Sequence, residues 1–326
     1  KLSVRKGNHH RRGIHEDSQR LMTSPTQEER HYRTMKIAIA TDTNSGITAM
    51  EGEKLGVFVL AMPVNLEETI HYEGIDITSE QLYDAMRKHR DVSTSQPSPG
   101  QLMELWDGIL AKGYDEIVYI PMSSGLSGSC QSAALFAQDY DSRVQVVDNH
   151  RISVTQKESV ISALRLVEQG YDAGQIRDFL EKHSYDASIY ITVDSMEYLK
   201  KGGRVTPAAA TLATVLNLKP VLTIQGDKLD AFAKVRGMKL AESKMIEAIH
   251  QDRAERFKDV PESRLLIETA GTLENGELAE HWRQQVQAEF PFAKVSYANL
   301  PCSIACHVGM NSVATVIMTE EVQRAD

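Results

Sequence analysis

Cysteine is scarce in this chain: three among 326 residues, Cys130, Cys302 and Cys306. Three thiols do not make an even disulfide framework and no secretory signal is visible, so a reducing cytoplasm is the expected compartment. Long apolar runs are also missing. The stretches 57–64 and 208–216 fall well short of the roughly 18 residues a membrane span needs. Basic charge is in deficit, with 36 Lys and Arg against 45 Asp and Glu and a formal net charge of −9. That balance argues against a nucleic-acid partner, because phosphate binding needs a basic face. No Gly-x-Gly-x-x-Gly, no phosphate loop ending in Lys-Ser/Thr and no Gly-x-Ser-x-Gly occurs, so nucleotide chemistry and the common hydrolase elbow lack their usual signatures.

What remains is the composition of an ordinary globular protein, 41% hydrophobic and 25% charged, long enough for two medium domains. Residues 1–34 carry eight Lys or Arg against four Asp or Glu, with four His and little apolar periodicity. We expect a disordered tag or extension there, ahead of a natural start at Met35. Its histidines lack the regular spacing of a metal site.

From Lys36 onward short β-branched runs alternate with helical patterns, which predicts an α/β architecture with largely parallel sheets. Strands are expected at 36–41, 57–64, 116–121, 144–148 and 188–193. A helix should begin at Ser98-Pro99, an N-cap followed by a first-turn proline, and another should run over 152–169. The second half predicts a hairpin around Gly226-Asp227, helices over 238–257 and 273–290, and strands at 264–269, 294–298 and 313–318. The domain boundary is expected near 185–195, giving domains 35–190 and 191–326.

Four polar or glycine-rich segments stand out from this scaffold. Ser123-Ser124-Gly125-Leu126-Ser127-Gly128 lies between a strand end and a helix start, where free N–H groups and hydroxyls suit a carboxylate or phosphate; it would equally serve as a small-residue turn. Thr94-Ser95-Gln96-Pro97-Ser98 precedes the capped helix. Tyr198 through Arg204 ends in a Lys-Gly-Gly-Arg turn that could hold an anion or dock a partner. Cys306-His307-Val308-Gly309 places a histidine beside glycine, where it could donate to a carboxylate or serve only the structure. Cys302, Cys306 and His307 match no strong metal spacing, so no metal is expected.

Taken in order, these segments resemble the DegV family. The resemblance adds the opening Thr41-Asp42-Thr43-Asn44-Ser45-Gly46, Val147-Asp148 and 216–222, and covers nearly everything from Lys36 to about Thr319. It implies two α/β domains of the DegV type with a lipid site between them, holding a long-chain fatty acid. Carried over residue by residue, Ser124 beside Ser123 and His307 would bind the carboxylate. Thr94 or Ser95 would complete the cage, and Arg204 would support it or meet a kinase.

Members similar to the lipid-binding subunit of bacterial fatty acid kinase present the acid to a separate ATP-binding subunit, which forms acyl phosphate for phospholipid synthesis. The expectation is therefore a carrier without catalytic residues, ATP site or cofactor of its own. Burying about 14 methylenes at roughly 0.8 kcal/mol each contributes on the order of 11 kcal/mol gross, so the tail would supply affinity and the polar groups position.

The chain departs from the family in two places. Val308-Gly309-Met310-Asn311-Ser312 stands where Gly-Pro-Gly-Ala is common, and Ser153 through Lys157 brings a charge into a glycine-rich, apolar pattern. Two other readings stay open: a serine hydrolase using Ser124, His307 and an Asp such as Asp194, and a lipid sensor that transfers nothing.

Overall fold

The computed structural model describes residues 35–214 and 218–323, so the expected extension at 1–34 and part of the 216–222 motif lie outside it. From Lys36 onward the chain forms one compact unit.

Strands β1 (Ile37–Asp42) and β2 (Val57–Leu60) are parallel neighbours. The run expected as one strand over 57–64 breaks after Leu60. Its remainder, β3 (Pro63–Leu66), turns into a separate antiparallel sheet with β4 (Thr69–Tyr72) and β5 (Val92–Thr94). Proline at its first residue suits a strand start, where the missing N–H costs no ladder bond. β6 (Glu116–Ile120) and β7 (Val144–Val146) complete a four-stranded parallel sheet in the order β2-β1-β6-β7. The helix Pro99–Ala111 opens as its sequence predicts, with Ser98 and Gln101 closing a reciprocal capping box.

The rest of the chain builds a six-stranded sheet. In chain order it contains β8 (Ala187–Thr192), β9 (Leu218–Ile224), β10 (Asp230–Arg236), β11 (Leu265–Gly271), β12 (Tyr297–Asn299) and β13 (Val313–Thr319). Their spatial order is β10-β9-β8-β13-β11-β12, and only β11 and β12 pair in parallel. The expectation of largely parallel sheets thus holds for the first sheet and fails for the second. The hairpin about Gly226-Asp227 makes β9 and β10 antiparallel, and β13 enters between β8 and β11 antiparallel to both.

The period-2 alternation of the central strands divides two hydrophobic clusters. Val313 and Ile317 of β13 pack beneath the helices Met238–Glu255 and Gly276–Glu289, where Trp282 Nε1 donates to Ala314 O at 2.9 Å. Ala314, Val316 and Met318 face the other way, with Ile189 and Ile191 of β8. A cavity adjoins that second face.

Candidate functional site

The cavity encloses about 290 Å3. Its floor is the sheet face just described, carrying Ile189, Ile191, Ala314 and Val316, and its roof includes Leu126, Leu199 and Ile304. The polar lining comprises Thr94, Ser95, Gln96, Ser127, Arg204 and His307, with Asn44, Ser153 and Ser303 besides.

His307 belongs to the short helix Cys302–Val308, which is buried on two sides. Ser303, Ile304, His307 and Val308 line the cavity, while Cys302, Ala305 and Cys306 pack into a cluster with Val64, Leu82 and Met86. Helical rotation therefore separates the histidine from the cysteines beside it in sequence. Burial pushes the Cys302 thiol up to about 12 and raises Cys306 as well, so both are packing groups. Among the described residues no cluster of three or more His, Cys, Asp or Glu could hold a metal ion.

His307 Nε2 lies 2.8 Å from Thr94 Oγ1, and its Nδ1 is buried without a hydrogen-bond partner. Burial first, and the nearby Arg204 cation second, depress its pKa to about 4, so the ring is neutral at pH 7. Arg204 donates from Nε to Leu126 O at 3.2 Å and from Nη1 to Gly202 O. Burial lowers its pKa too. It has no acidic partner among the described residues. A partly buried guanidinium without a counter-ion, beside a neutral imidazole and several hydroxyls, is a receptor for an anion.

Glycines shape the surroundings. A Cβ on Gly202 would lie 2.3 Å from His307 Nδ1, so the turn after the helix Glu197–Gly202 closes onto the ring only because Gly202 has no side chain. Past the histidine, Gly309 at φ 75° leaves room for Tyr198, and Asn311 takes φ 56°, a left-handed conformation that asparagine tolerates. Ser312 Oγ then donates to Val308 O at 2.8 Å. Asn311 and Ser312 thereby close the turn between the helix and β13.

The serine-glycine loop is arranged differently from expectation. Ser123 is fully buried and its hydroxyl donates to Gly226 O at 2.5 Å. A Cβ on Gly125 would lie 2.7 Å from Asp227 Cα, so this part of the loop docks on the β9–β10 hairpin. Ser124 donates its backbone N–H to Asp148 Oδ1 at 3.2 Å and is absent from the cavity lining. Ser127 and Gly128, further along the motif, do line it. Thus Thr94, Ser95, His307 and Arg204 meet at one cavity, and Ser123 and Ser124 stand apart from it.

The hydrolase arrangement is not assembled. Nothing among the described residues hydrogen-bonds Ser124 to His307, and the Asp194 carboxylate is engaged by Lys219 Nζ.

Sequence reasoning missed the polar hub behind the cavity. Asp42, fully buried at the end of β1, accepts from Asn44 N at 3.0 Å, Met122 N at 3.1 Å and Gln156 Nε2 at 3.1 Å. Glu73 accepts from Thr43 Oγ1 and Ser303 Oγ and, at the start of the histidine-bearing helix, from Cys302 N. The opening Thr41-to-Gly46 motif contained the first of these, but its spacing alone did not reveal its partners.

Fold and site together define an α/β protein with a largely apolar cavity whose polar lining includes an anion-receptive cluster. The chain belongs to the DegV family: the family model described as "Uncharacterised protein, DegV family" matches residues 36–320. A DegV domain-containing protein of Deinococcus radiodurans is 34% identical over 218 residues, 67% of this chain and 77% of that one. Among solved structures, a Thermus thermophilus DegV family protein described by its fatty acid binding matches with a TM-score of 0.78 and 30% identity, covering 87% of this chain and all of that one. DegV from Bacillus subtilis, described as a fatty acid binding protein, matches with a TM-score of 0.76 and 26% identity over 87% and 99%.

Proposed function

We propose that this protein binds a long-chain fatty acid in the cavity, with the carboxylate at Thr94, Ser95, Ser127, Arg204 and His307 and the acyl chain along the β8–β13 face. The observation that carries the reading is Arg204, a partly buried cation with no acidic partner among the described residues, in the lining of a largely apolar cavity. The similar proteins from Thermus thermophilus and Bacillus subtilis, each described as binding fatty acid, support it. In this reading Ser123 and Ser124 hold the loop in place and Ser127 supplies its ligand hydroxyl. In this reading the cavity lies between the part of the chain that carries the four-stranded sheet and the part that carries the six-stranded sheet, dividing just ahead of β8, and the protein works in the cytoplasm.

The protein acts as a carrier. It presents the carboxylate to a separate ATP-dependent kinase subunit, which transfers a phosphoryl group to give acyl phosphate for phospholipid synthesis. Ser127 and Arg204 orient the carboxylate by donating hydrogen bonds, the neutral His307 donates from Nε2 to Thr94 Oγ1 so that the Thr94 hydroxyl donates to the carboxylate, and the apolar walls exclude water from the chain.

Native mass spectrometry of gently purified protein should show an added mass equal to a fatty acid, and delipidated protein should rebind one on titration. Protein that neither carries nor rebinds an acid would refute the reading. Adding the partner subunit with ATP should yield acyl phosphate; product formed without that subunit would refute the carrier role.

A further inference from the structure

A second cavity of about 430 Å3 lies beside the first, and both are lined by Ser153 and Val154. Strand register shows how they follow one another. On β13, Ala314 and Val316 line the first cavity and Met318 lines the second; on β11, Ala270 lines the first and Leu266 the second. Residues two apart share a face, so one continuous sheet face passes under both. Val154, Leu266 and Ala298 also pack against the hydrophobic cluster that forms the first cavity's floor.

The polar cluster lies toward the opposite end of that face. The helix bearing His307 leads into β13 at Val313, which pairs with Thr192 at the end of β8, and the chain leaving Thr192 leads to Gly202 and Arg204. Four residues separate Ala314 from Met318, about 13 Å of strand. A ligand whose anionic end meets His307 and Arg204 therefore points its tail toward Val154.

Volume makes that wall consequential. The second cavity, at about 430 Å3, is at least as roomy as the first, at about 290 Å3, so a chain that passed the wall would find space beyond it. The wall is also firmly placed. Ser153 is held at φ 57°, a strained conformation for a residue other than glycine, with its N–H donating to Asn44 O at 2.9 Å, and Lys157 N donates back to Ser153 O. On the far side the second cavity becomes polar, with Lys157, Glu158 and Glu268.

We infer that Val154 is a specificity-determining residue that sets acyl-chain length by forming the partition between the two cavities, and that the apolar near side of the second cavity takes the end of any longer chain. The inference rests on the reading of the first cavity as a fatty-acid site. Delipidated wild type, Val154→Ala and Val154→Ile should be titrated in competition with a series of saturated fatty acids from medium to very long. Removing the two valine methyls makes room for about two more methylenes, so Val154→Ala should raise the affinity ratio of very-long to medium chains about tenfold. Val154→Ile should lower it, and this variant, which creates no cavity, carries the test if Val154→Ala fails to fold.

Opposite shifts in the two variants support the inference. An unmoved length profile, in variants that melt like wild type and bind medium chains equally well, overturns it while leaving the fatty-acid reading intact. If wild type binds no acid of any length, the functional reading fails and the inference with it.

Discussion

Thr94 Oγ1 and His307 Nε2 meet at 2.8 Å across 213 residues of chain. The contact joins the last residue of β5 to the short helix Cys302–Val308, so the polar end of the cavity is assembled from sequence-distant elements. The other ring nitrogen of His307, Nδ1, has no hydrogen-bond partner among the described residues.

His307→Ala removes the ring that orients the Thr94 hydroxyl toward the carboxylate and should weaken fatty-acid binding by about 1–3 kcal/mol with little change in fold. Titration calorimetry beside thermal melting checks this. Unchanged affinity at unchanged melting temperature would assign the histidine to structure alone.

Gly202→Ala should be more damaging than an exposed glycine substitution. The new Cβ would stand 2.3 Å from His307 Nδ1, so the ring or the turn must move. A loss of about 1–3 kcal/mol in stability is expected from the overpacking, together with weaker ligand binding as the Thr94 contact is disturbed. Melting and titration of this variant beside Gly203→Ala, a glycine whose Cβ would meet nothing within 4 Å but whose φ is 66°, separate crowding from backbone strain.

Arg204→Gln removes the cation that helps hold His307 below its ordinary value, the larger cause being burial. The His307 pKa in the unliganded protein should therefore rise from about 4 toward its ordinary 6.5 without reaching it, read by NMR titration of the ring. The folded value lies below the unfolded one, so His307's contribution to stability is present above pH 6.5 and is lost as pH falls toward 4. Arg204→Gln should narrow that window.

Asp42→Ala leaves two donors, Asn44 N and Met122 N, without their buried acceptor, while Gln156 Nε2 keeps Thr41 Oγ1 and Ile120 O. With about 1–3 kcal/mol per unsatisfied group and partial relaxation, a destabilisation of roughly 3–5 kcal/mol is expected in chemical unfolding. A cost below about 1 kcal/mol would show that these groups find other partners.

Glu158 faces Arg165 at 3.9 Å, with Arg151, Glu320 and Glu321 also acting on it, and burial pushes its pKa from 4.5 up to about 7. A carboxyl raised on folding binds a proton more tightly in the native state. Its contribution is present below pH 4.5 and is lost as pH rises through 7. Glu158→Gln should therefore flatten the decline in melting temperature over that window. The ceiling is on the order of 3 kcal/mol at 1.36 kcal/mol per pKa unit. An unchanged slope would mean that Arg165 and Arg151 already offset the charge.

Local chemistry made much of this protein legible from its sequence. Ser98-Pro99 announces a helix start because a hydroxyl cap and a first-turn proline act within one turn, and the Gly226-Asp227 hairpin is a two-residue signal between apolar runs. The ordered motifs identified the family for a similar reason, since each is a short segment whose backbone needs particular residues. Tertiary structure alone decided what those segments touch. Ser123 and Ser124 had the right composition for an anion loop, yet the first is engaged by the hairpin at Gly226 and the second lies outside the cavity, leaving Ser127 at the lining. The antiparallel placement of β13 between β8 and β11, the partners of Asp42 and the wall at Val154 were likewise invisible, because pairing direction and burial depend on residues far away in the chain. Periodicity fixes which face of a strand is apolar; what covers that face, and where it is left open as a cavity, is settled only when the elements pack.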